Sequence, residues 1–478
     1  MKPTEEQTRI IKDFADTRVM KINAVAGSGK TSTLKMMAKE YKKESLYMAF
    51  NKAIAQEASA EFPDHVECRT THSLAFAEFG RDLAHKLKRP KTRSYKNFAQ
   101  SSTEIASFYN LEDIDDITKA TLGMLVKTTV KRYEQSADKI IQEKHVPHSI
   151  LRDLEKTHDN IDKGHIVTVV LSTAKKYWKD KKSPVSDVLA THDTYLKLWQ
   201  LSNPRLDYDI IYVDEAQDTN PVVLDVVKKQ THAKIAYVGD TYQSIYQFRG
   251  AVNAMETITA PTRLLSMSFR YGQPVADVAT DIMGGAIQVK GNPDILSEVN
   301  TATTHKKYTK LFRTNGALIS EAIHLISSGK KIKCEIDVWN FINTLESAVA
   351  LHKGDMKKVK HEDILAYTDW NDLVECSEEN PEMKRIKRII ENGDAYNYLK
   401  HLKDFTKQNR KHYDIILTTA HKSKGRQWDN VILADDFPEI IDGDYSEVSD
   451  QERNLIYVAT TRAVKSLDVP EGMIKDKE

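Results

Sequence analysis

A chain of 478 residues with 40% hydrophobic and 29% charged side chains is several times longer than one hydrophobic core needs, so about three domains or subdomains are expected. No apolar run approaches the roughly 20 residues of a membrane span, and the opening MKPTEEQTR lacks a signal peptide's apolar region, so an intracellular, cytoplasmic protein is expected. A net charge of +1 offers a polyanion no overall field, which leaves nucleic-acid binding to local grooves, and Cys68, Cys334 and Cys376, far apart and without a C-x-x-C pair, argue against a disulfide framework or a zinc site.

Thr4 to Phe14 is predicted helical, with Thr4 as N-cap and Gln7 completing a capping box. Gln7 reads equally well as a cap and as a reader of an adenine edge. Lys21 to Leu34 (KINAVAGSGKTSTL) then gives a short apolar strand, a tight glycine turn and a helix start. Gly27, Ser28, Gly29, Lys30 and Thr31 are placed to wrap backbone N–H groups and one ammonium around a phosphate chain, with the Thr31 hydroxyl on Mg²⁺. Ala24 stands where the strict P-loop pattern has glycine, a change that a small-residue turn tolerates.

Ser45 to Phe50 alternates into a buried strand, a helix runs to near Phe62, and Val66 to Ser73 is read as another strand and turn. Phe50-Asn51-Lys52 and Thr70-Thr71-His72-Ser73 each read most simply as a plain strand end, but their recurrence beside a P-loop sheet suggests a second ligand surface. From Gly80 to roughly Ser186 a helical, lysine-rich insertion is expected. Its basic runs read as a solvated face or, through the interleaved Tyr177 and Trp178, as a nucleic-acid face.

Asp209 to Asp218 (DIIYVDEAQD) is an apolar strand closing in paired carboxylates. Asp214 is placed for the Mg²⁺ that Thr31 also touches, and Glu215 to orient and deprotonate a water in line with a γ-phosphate. Ile235 to Gly239 is a third strand, and it runs into a segment where Gln243 is placed to report hydrolysis. Beyond it Tyr246 and Phe248, alternating with Gln247 and Arg249, offer flat faces for unpaired bases, worth about 1–3 kcal/mol per base. Lys310 to Leu325 reads as a strand and an amphipathic helix with Arg313-Thr314-Asn315 at the turn, and Asp337 to about Arg410 as a charged helical insertion.

The ordered strings AGSGKTSTL, AFNKAIA, TTHS, YLKLWQLS, VDEAQD, VGDTYQSIYQFRGAVNA, SFR, HKSKG and NLIYVATTRA extend from Ala26 to Ala463. The chain carrying them resembles superfamily 1 helicases of the UvrD/Rep type, and among these is similar to the helicase portion of the F-box DNA helicases. No F-box precedes the motor motifs, so a ubiquitin-ligase role is not expected. The resemblance implies an α/β fold of two RecA-like parallel-sheet P-loop motor domains with two mainly helical insertions. The first motor then takes residues 1–80 and 187–264 with an insertion at 81–186, and the second takes 265–336 and 411–478 with a short accessory insertion at 337–410.

The same resemblance implies roles residue by residue. Lys30, Asp214, Glu215, Gln243, Arg270 and Arg462 are the expected catalytic set, with Thr31 and Asp214 on Mg²⁺. Arg270 reaches the γ-phosphate and Arg462 is the finger that neutralises transition-state charge, a contribution of about 10³ to 10⁵ in rate. ATP is expected to meet Gln7, Ala26, Gly27, Ser28, Gly29, Lys30, Thr31, Ser32, Phe269 as an adenine stack, Gly425 and Gln427. The family commonly has Leu-Glu after that glycine, and here Arg426-Gln427 puts an amide where a carboxylate meets a ribose hydroxyl. DNA contacts are expected from Phe50, Asn51, Thr71, His72, Tyr246, Phe248, Arg249, Thr418, Thr419 and His421. The implied function is an ATP-dependent helicase or translocase moving 3′ to 5′ as a monomer on single-stranded DNA and on tailed or forked duplexes. The alternative is a single-strand-stimulated ATPase that strips nucleoprotein complexes with little unwinding.

Overall fold

The computed structural model describes residues 2–87, 102–157, 161–245, 253–300, 306–361, 364, 367, 369–376, 381–407 and 412–474. Tyr246, Phe248 and Arg249 lie outside the described residues. Chain contacts divide the protein into two units, one of residues 1–23, 30–241 and 246–264, the other of residues 24–29, 242–245 and 265–478.

The first unit is built on a six-stranded sheet of β1 (Val19–Ala24), β2 (Ser45–Ala49), β3 (Val66–Thr70), β4 (Ile210–Val213), β5 (Lys234–Gly239) and β6 (Thr262–Leu265) in the order β3-β2-β4-β5-β1-β6. From β3 to β1 the neighbours pair in parallel. All five residues of β2 and all four of β4 are buried, the signature of central strands covered on both faces. Helix α1 (Glu5–Phe14) begins with the expected capping box, and α2 (Lys30–Glu40) follows the glycine turn.

Of the strand and turn expected over Val66 to Ser73, the strand stops at Thr70 and a helix takes the place of the turn. The Thr70 hydroxyl accepts the Ser73 N–H at 3.1 Å and starts the helix Thr71–Ala75, so Thr71 and His72 stand on a helical first turn and not on a strand end. Between β3 and β4 the helices α3 (Lys119–Gln135) and α4 (Lys163–Lys182) build a separate apolar cluster around Leu122, Val126, Val130 and Val170. Tyr177 and Trp178, weighed in the sequence as stacking groups for nucleic acid, belong to that core, with the Trp178 ring edge-on to Tyr133 at 5.3 Å. They face inward on an amphipathic helix, while Lys175, Lys176, Lys179 and Lys182 take the solvent.

Helix α5 (His192–Leu201) joins the insertion to the sheet. Tyr195, Leu196 and Trp199 pack into the sheet's core. Thr194, Lys197 and Gln200, spaced three apart, line the other side. The Thr194 hydroxyl donates to Glu134 at 2.6 Å, Lys197 Nζ to the carbonyls of Ser136 and Asp138 at 2.8 and 2.5 Å, and Gln200 Nε2 to the Ala137 carbonyl at 3.2 Å. Lys181 closes this seam on Glu134 at 2.7 Å.

The second unit holds another six-stranded sheet, of β7 (Glu298–Val299), β8 (Tyr308–Phe312), β9 (Ile332–Cys334), β10 (Ile415–Thr419), β11 (Trp428–Leu433) and β12 (Ala463–Asp468), in the order β7-β12-β11-β8-β10-β9. Every neighbouring pair is parallel. The described residues of segment 337–410 are mainly helical, and their apolar side chains join the core of the second sheet. Phe341, Ile342 and Leu345 of α6 (Val338–His352) and Ile386 and Ile389 share one cluster with Phe312, Leu318 and Leu417 of the sheet layer. Among the described residues no helix is long and apolar enough to cross a membrane.

Candidate active site

In the first unit, parallel strands deliver four polar groups to the start of α2. Lys30 and Thr31 open the helix, and Asp214 and Glu215 follow β4. Lys30 Nζ lies 3.4 Å from Glu215 Oε2, and the Thr31 hydroxyl lies 3.3 Å from Asp214 Oδ2. Burial alone would lower the Lys30 pKa, but the combined fields of Glu215, Asp240 and Asp214 outweigh it and hold it above the ordinary lysine value. Asp214 is buried, and its pKa is raised by that burial and by the Glu215 charge, with Tyr47 and Lys30 pulling the other way. A buried carboxylate beside a hydroxyl is a hard oxygen donor set, which suits Mg²⁺ completed by water and phosphate.

Glu215 adopts φ 48° and ψ 44°, a left-handed conformation uncommon for a residue with a side chain. Gln217 supports it. Its Nε2 donates to Glu215 Oε2 at 2.5 Å, while its Oε1 accepts the Asp240 N–H at 3.0 Å, so one fully buried amide ties the end of β4 to the end of β5. Gln7 completes the expected cap, its Oε1 accepting the Thr4 N–H at 2.9 Å, and its Nε2 donates to Thr33 Oγ1 at 3.0 Å. Ser32 is exposed on the same first turn.

The second unit includes the turn 24–29 itself. Gly27 and Gly29 have φ of 78° and 80°, and a Cβ on Gly27 would meet Ser268 Oγ at 2.7 Å and Arg270 Cβ at 2.8 Å. The turn is held by the Phe269 N–H on the Gly27 carbonyl (2.8 Å) and by the Ala26 N–H on the Tyr457 hydroxyl (3.2 Å). The Ser28 hydroxyl is sealed, with no hydrogen-bond partner among the described residues, as expected of a cradle that lacks only its ligand oxygen. Arg270 donates through Nε to Gln427 Oε1 at 2.9 Å and through Nη1 to the Thr461 carbonyl at 2.8 Å. Gln427 therefore meets an arginine of its own unit.

Arg462 is buried and donates to the Val458 carbonyl at 2.7 Å, the Arg426 carbonyl at 3.3 Å and the Thr461 hydroxyl at 3.0 Å, with Nη2 3.5 Å from Gln243 Oε1. Lys424 Nζ donates to the Gln243 carbonyl at 2.5 Å, and Gly425 turns at φ 81°. Gln243, Arg270, Gln427 and Arg462 thus lie in one network. Of the expected DNA contacts, Phe50 is 51% exposed, Asn51 caps the following helix through Ile54, His72 lies 3.8 Å from Asp193, Thr418 and Thr419 are buried and His421 is half-buried.

Sequence reasoning missed Tyr47, Gln217, Lys424 and Tyr457. The first two stand within strings that read as a buried strand and a carboxylate motif, and only strand register reveals what their polar ends reach.

The UvrD/REP helicase N-terminal domain model matches residues 4–260. The chain belongs to the UvrD/Rep helicase family. A UvrD-like helicase C-terminal domain model also matches residues 414–468. This UvrD-type chain is 31% identical over 530 residues to F-box DNA helicase 1 of Gallus gallus, covering 99% of the chain and 49% of the relative. It is 30% identical over 531 residues to F-box DNA helicase protein 1 of Schizosaccharomyces pombe, covering 99% of the chain and 58% of that protein. ATP-dependent DNA helicase srs2 of the same yeast is 26% identical over 175 residues, 35% of the chain and 19% of its own length. The UvrD-type chain spans about half the length of the F-box relatives it matches.

Proposed function

We propose that this UvrD-type protein is an ATP-driven motor that moves 3′ to 5′ along single-stranded DNA as a monomer and separates duplex strands ahead of it. The observation that carries the reading is the constellation of Lys30, Thr31, Asp214 and Glu215, a cation, a hydroxyl and two carboxylates gathered around a buried Asp214 directly after a glycine turn. Lys30 binds the phosphate chain, Thr31 and Asp214 hold Mg²⁺, and Glu215 takes the proton of the attacking water. Mg²⁺, when bound, neutralises phosphate charge and orients the leaving group. Arg270 and Arg462 of the second unit are the proposed γ-phosphate ligands, and Gln243, 3.5 Å from Arg462, is the proposed reporter of its occupancy. Phe50, Asn51, Thr71 and His72 of the first unit and Thr419 and His421 of the second are the proposed contacts for the strand, together with Tyr246, Phe248 and Arg249, which lie outside the described residues.

The test is ATP hydrolysis with and without single-stranded DNA, followed by unwinding of duplexes carrying a 3′ or a 5′ tail. Stimulation by DNA and unwinding from the 3′ tail are expected, and turnover indifferent to polynucleotide would overturn the reading.

One observation favours a second reading, a single-strand-stimulated ATPase that strips bound proteins. The described residues of the accessory segment 337–410 share one core with the second sheet, which favours a segment anchored to the motor over a separate body that manages a duplex. Protein displacement without strand separation, measured side by side, distinguishes it.

A further inference from the structure

We propose that Tyr47 is a positioning residue for the metal-binding carboxylate: its hydroxyl fixes Asp214 in the orientation that sets Oδ2 beside Thr31. The inference rests on the assignment of Thr31 and Asp214 to Mg²⁺ made above.

Tyr47 lies in the middle of β2, fully buried, and pairs in register with Tyr212 of β4. Parallel partners project to one face of a sheet, and Asp214 follows Tyr212 by two residues, so all three share that face. The Tyr47 ring is wedged against Phe62 with centroids 4.7 Å apart, which leaves the phenol one place to point. Its hydroxyl donates to Asp214 Oδ2 at 2.5 Å, the oxygen that Thr31 also reaches at 3.3 Å. The other oxygen, Oδ1, accepts the Glu215 N–H at 2.9 Å. With one oxygen held from the middle of β2 and the other by the backbone just after β4, rotation of the carboxylate is restrained.

A buried carboxylate without hydrogen bonds is costly, and a charge-assisted phenol bond offsets much of that cost. A phenol carries its proton at neutral pH and a carboxylate only accepts, so Tyr47 is the donor in this pair. No feature of the local sequence SLYMA marks this tyrosine as part of the site, because its neighbours are strand core.

Tyr47→Phe keeps the ring, the Phe62 contact and the strand, and removes only the bond. The experiment measures Mn²⁺ affinity by electron paramagnetic resonance on the full chain with ADP, together with ADP affinity in EDTA, for the wild type, Tyr47→Phe and Asp214→Asn. Partners one step behind a metal ligand typically change affinity by about 10- to 100-fold. Tyr47→Phe is expected to weaken Mn²⁺ binding by about tenfold or more while metal-free ADP affinity stays within about twofold. A general packing defect would move both readouts together and overturn the proposal. So would unchanged Mn²⁺ affinity in Tyr47→Phe when Asp214→Asn loses it. If Asp214→Asn also binds Mn²⁺ normally, the metal assignment itself falls and the role of Tyr47 with it.

Discussion

Lys30 and Glu215 stand 3.4 Å apart, so the cation proposed for phosphate oxygens and the carboxylate proposed for water are partners of one another. Binding of a nucleoside triphosphate has to divide this pair. Glu215→Gln removes the competing charge, so ATP affinity is expected to hold or tighten while hydrolysis falls by about 10²- to 10⁴-fold. Lys30→Ala is expected to lose both. Equilibrium nucleotide binding beside phosphate release checks each variant, and a Glu215→Gln protein with wild-type turnover would remove Glu215 from the base role.

Gly239 ends β5 where no side chain fits: a Cβ there would lie 2.3 Å from Gln217 Oε1. Gly239→Ala is therefore expected to push Gln217 off Glu215 and cut kcat by about 10- to 100-fold, the scale at which a 1 Å misplacement acts. Steady-state kinetics should show KM for ATP little changed. A fall in affinity with kcat intact would assign Gly239 to packing alone.

Lys197 provides a pH dependence with a definite sign. Burial lowers its pKa to about 8, with Asp138 only partly opposing, against about 10.4 in an unfolded chain. Between those values the unfolded state binds more protons, so this group makes stability rise with pH across that window. A neutral amine keeps two N–H donors, enough for the Ser136 and Asp138 carbonyls. The melting temperature of the wild type relative to Lys197→Met is thus expected to be higher at about pH 9.5 than at about pH 7.5. A difference that stays constant would contradict it.

Glu134 and Lys181 meet at 2.7 Å with their side chains 2% and 4% exposed. Removing one partner leaves the other buried and uncompensated, so Glu134→Ala is expected to cost about 3–5 kcal/mol in urea unfolding. The paired change Glu134→Leu with Lys181→Met should recover most of that loss.

The turn after β1 and the carboxylates after β4 were legible because their chemistry is local: glycine at positive φ, Lys-Thr at a helix start and acids at a strand end lie within a few residues of one another. Tyr47 and Gln217 were not legible. Tyr47 meets Asp214 through the pairing of β2 with β4, and Gln217 meets Asp240 across β4 and β5, and strand order is a long-range property that no window of sequence carries. Tyr177 and Trp178 misled for the opposite reason: basic neighbours suggested a surface, and the helical period had turned both rings inward. The helix at Thr71 was hidden by a run of threonines suited to strand, and a single side-chain bond from Thr70 decided it.

The row Thr194, Lys197 and Gln200 bears on how this chain can be cut and recombined. Lys197 gives both of its hydrogen bonds, and the Thr194 hydroxyl its donated one, to residues 134–138, so excising the inserted helices would strand an ammonium and a hydroxyl on a helix whose opposite side is embedded in the first sheet's core, while Gln200 would keep its bond to Asp225. A chimera that swaps the insertion between relatives should carry residues 134–138 and 192–200 across as a single cassette.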